Sequence, residues 1–312
     1  MSALPEPPPA GAELALEHQR QRVMVTEIGA ALRSWTVHGN ELLDTNGAGG
    51  PDDAFRGKVL VPWPNRLRDG RYEFDGAEHR TALTEPERGA ALHGLATRRR
   101  WRAIRSSTRH LTLAYDLKPE PGYPFSLRLA VDYELTSSGV VATLHATNAS
   151  TKPAPFGAGL HPYLRHEGVA VDDLVLDVPA HTHVPLDDRR LPSGPAVAVE
   201  GTDIDFRGGR RIGAQRLDTC FGDLDRSPAG VARVRLATAG GKRQLTVWMD
   251  ESFRFVQVYT ADDLPDPGRR RGGVAIEPMT CAPDAFNSGD GLLVLEPGAS
   301  FTGRCGLTAA GY

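Results

Sequence analysis

Five short segments set side chains with chemical capacity among glycines, prolines and aromatics. They are Val61-Pro62-Trp63-Pro64-Asn65-Arg66, Ala91-Leu92-His93-Gly94-Leu95, Phe156-Gly157-Ala158-Gly159-Leu160-His161-Pro162-Tyr163, Leu217-Asp218-Thr219-Cys220-Phe221, and Ala275-Ile276-Glu277-Pro278 with its continuation to Asn287. Carboxylates and imidazoles in such surroundings are the groups of general acid–base chemistry. Glu277 has the strongest claim. It follows Val274-Ala275-Ile276, a buried type of strand end, and precedes a proline, so its carboxylate is expected to be at least partly buried. Glutamate is rarely buried unless it is paired or functional.

Every one of these residues also has a structural reading. His93 before Gly94 suits a turn whose ring nitrogen caps a carbonyl. His161 before Pro162 is pushed toward an extended backbone and suits a strand end. Asp218 beside Thr219 suits an Asx-turn. Arg66, with Arg68 and Asp69 after it, suits a surface charge, and Glu277 suits an ion pair with an arginine.

Other chemistries find less support. Gly157-x-Gly159 lacks the third glycine and the following helix of a dinucleotide site. Neither a phosphate-binding P-loop, nor H-E-x-x-H, nor a G-x-S-x-G elbow occurs. His181 and His183 would share a strand face, but no third metal ligand is recognisable near them, so they read as exposed loop histidines. No metal site and no cofactor is expected.

The elements that must carry these residues have a period of two. Phe125, Leu127, Leu129, Val131, Tyr133 and Leu135 fall on one face of a run whose other face is mostly charged. That is the pattern of a half-buried antiparallel strand. Leu111 to Asp116, Val141 to Thr147, Val231 to Leu236, Gln244 to Asp250, Phe253 to Thr260 and Leu292 to Leu295 read the same way. With 34 Gly and 24 Pro, few twelve-residue windows escape a helix breaker, and Ala12 to Arg20 is the one short helix the pattern allows. Many short strands between turn residues predict an all-β protein built as a large antiparallel β-sandwich.

The 312 residues are about twice a typical domain of ~150. Gly194 to Gly213 and Asp262 to Gly273 are loop-like, yet strand pattern continues on both sides of each. We therefore expect a flexible proline-rich lead-in over 1–19 and a single domain over 20–312. Formal net charge is -3, which provides no basic field for nucleic acid or an anionic membrane. The local basic runs, Arg98 to Arg102 and Arg269 to Arg271, read as solvated loops or strand edges. Cys220, Cys281 and Cys305 form neither a disulfide framework nor a C-x-x-C motif. Reduced thiols, no signal-peptide pattern and no ~18-residue apolar run predict a cytoplasmic chain.

Taken in order, the motifs resemble the aldose 1-epimerase (galactose mutarotase) family. The matches are Asn65-Arg66, His93-Gly94, Gly159-Leu160-His161-Pro162-Tyr163, Asp218 in a D-x-x-F setting, and Glu277-Pro278 followed by Asp284-Ala285-Phe286-Asn287. Gly29 to Trp35 with Gly39 to Leu43 is similar to the family's first hairpin, so the likeness spans roughly residues 20–310. The resemblance implies a β-sandwich with a sugar cleft and cofactor-free interconversion of the α and β anomers of free aldoses such as glucose or galactose. It implies Glu277 as general base, His161 as general acid, His93 as a second histidine near the ring oxygen, and Arg66, Asp218 and Asn65 as substrate-binding residues. Trp63, Phe221 and Phe286 would offer apolar faces to the sugar or pack in the core.

Mutarotation explains the residue types. The anomeric hydroxyl must lose a proton while the ring oxygen gains one, and the roles swap on reclosure. Val61 to Gly70 is most similar to a bacterial branch of the family, some of whose members are thought to act on a sulfonated glucose. Arg68, Arg98 and Arg100 would suit such an anionic sugar, or solvent. The expected partner is thus a small-molecule sugar, with the chain a monomer or homodimer. Two other classes compete. A non-catalytic sugar-binding or regulatory domain would not need an acid–base pair. A glycoside hydrolase would need two carboxylates across the scissile bond, and only Glu277 stands out.

Overall fold

The computed structural model describes residues 11–45 and 54–312. Nearly all regular structure is β, and every pairing between named strands is antiparallel. The α-helix in it is the single turn Ala285–Ser288.

One sheet has nine strands in the order Arg102–Ser106, His110–Leu117, Leu127–Thr136, Gly139–Asn148, Ser300–Ala310, Gln244–Met249, Ala232–Ala237, Val175–Asp177 and Arg210–Arg211. Its central strands keep the alternation read from the sequence. In Leu127–Thr136, Leu127, Leu129, Val131, Tyr133 and Leu135 are buried, and every residue between them is more exposed. Burying one face of a pleated strand fixes its register, because a slip of one residue would turn all five outward.

The second sheet positions the chemistry. It runs Val197–Ala198, Ala180–His183, Asp218–Leu224, Phe255–Tyr259, Val274–Met279, Gly159–Leu160 and Val59–Leu60, with Tyr163–Leu164 also pairing to Val274–Met279. All six residues of Val274–Met279 are buried. One cluster of buried side chains extends from Leu16 to Leu307 and draws on both sheets.

The structure departs from expectation at the N-terminus. Glu13–His18 is a strand, not a helix, and it pairs residue for residue with Gln21–Thr26. Ala, Leu and Glu favour helix locally, but Leu14 and Leu16 two apart let the segment join a hairpin closed at Gln19, whose φ is 54°. Part of the lead-in expected over 1–19 is thus a paired strand, and residues 1–10 of it lie outside the described residues. His181 and His183 also sit in a strand, Ala180–His183, rather than an exposed loop. The loop-like stretch from Gly194 contributes two short sheet strands, and the one from Asp262 contains a 3-10 turn at Pro267–Arg269.

Candidate active site

The pleat of the second sheet gathers three polar residues. Gln257 stands opposite Glu277 across one strand pair, and Cys220 stands opposite Gln257 across the next. Residues directly opposite share a face, and so do residues two apart. Asp218, Gln257 and Glu277 therefore project from one face of three neighbouring strands. A pocket of about 280 Å³ opens over them, at the small end of the ~300–1,000 Å³ usual for small-molecule sites.

The two histidines reach the same pocket from turns. His161 follows the Gly159–Leu160 strand, with its backbone N–H bonded to the Lys58 carbonyl and its carbonyl accepting from the Gly57 N–H. Its ring stacks on Tyr163 at 5.1 Å and meets His93 edge-on at 5.0 Å. His93 and Asn65 exchange two bonds. The His93 N–H donates to the Asn65 carbonyl at 2.9 Å, and the Asn65 N–H donates to His93 Nδ1 at 3.1 Å. Both residues have positive φ, 59° and 56°. Such backbone is rare outside glycine and persists where surroundings over-determine it. The next residue must be glycine: a Cβ on Gly94 would lie 2.1 Å from the Val61 carbonyl oxygen.

That exchange fixes a tautomer. Nδ1 accepts, so the neutral His93 ring carries its proton on Nε2 and is a donor there. Burial, then the neighbouring His161, Arg66 and Lys58, pushes the His93 pKa well below the usual histidine value. His93 is thus a neutral hydrogen-bond donor at physiological pH. The same tautomer bears on metals. His93, His161 and Glu277 bring donor atoms within 4.8 Å of one another. With Nδ1 engaged by an amide, Nε2 of neutral His93 has no lone pair for an ion, so the trio does not fit a resident metal.

Glu277 is 2% exposed, and its Oε1 lies 3.4 Å from His161 Nε2. Its Oε2 has no hydrogen-bond partner among the described residues. Burial, reinforced by Asp218 and opposed by Arg66, pushes its pKa well above the usual carboxylate value. Gln257 donates from Nε2 to Asp218 Oδ1, leaving its own Oε1 buried and unpartnered among the described residues. Two buried acceptors thus wait on one wall of the pocket. Unmade hydrogen bonds to buried groups are costly, so such acceptors point to a ligand that donates hydroxyl protons.

Arg66 is gripped by Glu85 through two bonds, Nε to Oε2 at 2.6 Å and Nη2 to Oε1 at 3.0 Å, and it lies 3.8 Å from Asp218. Its strand is braced from behind by Asp284, which accepts from the Arg68 and Asn287 side of the motif, while the Asp284 N–H donates to the Arg66 carbonyl. The Asp284-Ala285-Phe286-Asn287 segment is therefore a support for Asn65 and Arg66.

All six residues singled out in the sequence, Asn65, Arg66, His93, His161, Asp218 and Glu277, line this one pocket. Trp63, Phe221 and Phe286 do not; they are core residues, and Phe55 and Tyr163 are aromatic rings that do reach it. Of the three arginines considered for an anionic sugar, Arg98 lines the pocket, Arg68 bonds Asp284 and the Pro192 carbonyl, and Arg100 lies 3.6 Å from Glu27. Among the lining residues the sequence did not signal are Glu85, Arg88, Arg190, Gln257 and Asp263. Gln257 sits between Val256 and Val258 and looks there like an outward-facing polar residue. His181 bonds Asp225 and Arg207, which accounts for both its ring nitrogens. The three cysteines are free and buried. No helix among the described residues is long and apolar enough to cross a membrane.

The chain belongs to the aldose 1-epimerase family, whose sequence profile matches residues 13–308. It is 32% identical over 293 residues to the uncharacterized protein YihR of Escherichia coli K12, covering 93% of this chain and 90% of that one. An aldose 1-epimerase of the same organism is 28% identical over 217 residues, 66% of this chain and 61% of that protein. The crystal structure of a GalM/aldose epimerase homologue from C. elegans superposes with a TM-score of 0.84 at 20% identity, covering 96% and 98% of the two chains. That last likeness establishes the antiparallel β fold.

Proposed function

We propose that this protein is an aldose mutarotase acting on a free aldohexose such as glucose or galactose. The observation that carries the reading is Glu277 Oε2, a buried carboxylate oxygen without a partner among the described residues, beside His161 and facing the pocket. Glu277 takes the proton from the anomeric hydroxyl. The C1–O5 bond breaks with its electron pair going to O5, and His161 gives O5 a proton. The free aldehyde turns about C1–C2 and the steps reverse on the other face, with His161 as base and Glu277 as acid. His93 donates from Nε2 toward the ring oxygen. Arg66 and Asp218, with Asn65 beneath them, orient the sugar through charge-assisted hydrogen bonds. The expected single domain over 20–312 is extended to take in the Glu13–His18 strand, and its support is the core cluster that joins Leu16 to Leu307.

Asp218 is already engaged by Arg190 and Gln257, so it is not the free second carboxylate that a glycoside hydrolase uses. A purely sugar-binding role would leave the buried Glu277 and His161 pair without a purpose. One observation favours a second substrate reading. Arg98 lines the pocket with no ion pair or hydrogen bond among the described residues, and would receive an anionic substituent such as a sulfonate or phosphate. Polarimetry on freshly dissolved α-glucose, α-galactose and their phosphorylated or sulfonated counterparts tests both. Faster approach to anomeric equilibrium with at least one sugar is expected, and no acceleration with any of them would sink the reading.

A further inference from the structure

We propose that Arg190 is a positioning residue of this site: it holds Asp218 in place and offsets that carboxylate's charge before it reaches Glu277. The kinetic part of this inference rests on the mutarotase reading above; the electrostatic part does not.

Arg190 closes a circuit of six alternating charges around the pocket. Arg66 binds Glu85 at 2.6 Å, and Glu85 binds Arg88 at 3.0 Å. Arg88 lies 3.5 Å from Asp263, and Asp263 is 2.6 Å from Arg190. Arg190 bonds Asp218, and Asp218 stands 3.8 Å from Arg66, where the circuit began. All six side chains line the pocket. Isolated surface pairs contribute little, but a closed network with two-pronged arginines holds its members in one geometry.

The backbone is built to present this side chain. Arg190 has φ 58°, a left-handed conformation with no glycine to ease it. The turn that imposes it is closed four times. Asp187 Oδ1 accepts from the N–H groups of Arg189 and Leu191, the Arg190 N–H donates to the Asp187 carbonyl, and the Asp187 N–H donates to the Leu191 carbonyl. Strain of this kind persists at positions the surrounding structure over-determines, and it clusters at functional sites. From there the guanidinium spans two carboxylates, one nitrogen on Asp218 at the start of a sheet strand and the other on Asp263 in a turn.

The consequence falls on the base. Glu277 is faced by His161 and His93 from their turns, by Arg66 and Asp218 from other strands, and by Tyr163 and Cys220, which burial keeps un-ionised. Asp218 is the like charge in that set and opposes ionisation of Glu277. Removing Arg190 exposes Glu277 to more of that charge and frees Asp218 to swing.

Two readings on Arg190→Gln and Arg190→Lys test this. The first is the ionisation midpoint of Glu277, followed by carbon NMR of side-chain-labelled glutamate and assigned with Glu277→Gln. The second is the pair kcat and KM for the aldose that wild type turns over. In Arg190→Gln the midpoint moves to higher pH, and KM rises about tenfold, the worth of one hydrogen bond to a charged group. Arg190→Lys keeps the charge without the fork and recovers most of the midpoint but less of KM. A midpoint and KM both unchanged in Arg190→Gln overturn the inference. If wild type shows no mutarotation while the midpoint still shifts in Arg190→Gln, the functional reading fails and the coupling of Arg190 to Glu277 stands.

Discussion

Two strands of this molecule show opposite uses of burial. Leu127–Thr136 buries five apolar side chains and leaves every polar one at least partly in water. Val274–Met279 buries all six residues, Glu277 among them. The first strand gains stability from each inward residue, at roughly 25 cal/mol per Å² of apolar surface. The second holds a carboxylate that is almost wholly buried, and one of its oxygens is unmatched among the described residues. The scaffold sheet follows the hydrophobic pattern, and the site sheet departs from it at the position where proton transfer is proposed.

Substitutions should separate the two regions. His161→Gln is expected to slow mutarotation by about 10²–10⁴-fold, the usual worth of one positioned proton transfer, with little change in the urea midpoint. Leu129→Ala in the scaffold is expected to do the reverse. It should cost about 2–5 kcal/mol of unfolding free energy, while kcat/KM per folded molecule stays near wild type. Equal losses of activity from both would erase the distinction.

The pH profile gives a smaller but directional effect. Glu277 acts as base only when ionised, and burial raises its pKa. Activity should therefore rise with pH, with its acid limb above the ~4.3 of an ordinary glutamate. An acid limb at the ordinary value would place Glu277 in a far wetter setting than its 2% exposure implies. The smallest effect belongs to Arg99, half-exposed and bonded to Glu120 at 2.8 Å on the protein surface. Arg99→Ala should change stability by no more than about 1 kcal/mol and leave activity alone.

The same contrast explains what the sequence made legible. Alternation in Phe125 to Leu135 announced a half-buried strand because one face meets water. Glu13–His18 was hidden because Ala, Leu and Glu carry helix propensity, and only pairing with Gln21–Thr26 decides otherwise. In the site, His93, His161 and Glu277 stood out beside Gly94, Pro162 and Pro278, residues that mark unusual backbone. Gln257 did not, because a glutamine between two valines looks like an ordinary strand residue until both faces are known to be covered. Arg190 did not either. In the run Asp187-Asp188-Arg189-Arg190 it reads as a solvated turn, and its role depends on Asp218 and Asp263, 28 and 73 positions away.

The central claim is that Glu277 is kept buried for chemistry at the expense of stability. Its folded pKa lies above its unfolded one, so the native state binds the extra proton. Its contribution is thus fully present below the ordinary carboxylate range and is lost as pH rises through the raised value. Glu277→Gln removes that loss. The decisive measurement takes the anomer-exchange rate, by NMR magnetisation transfer, and the urea midpoint at neutral pH on the same preparations of wild type and Glu277→Gln. The expected result is a variant that has lost most of its exchange activity and unfolds at higher urea than wild type. A variant that exchanges anomers as fast as wild type, or unfolds at markedly lower urea, would contradict the account.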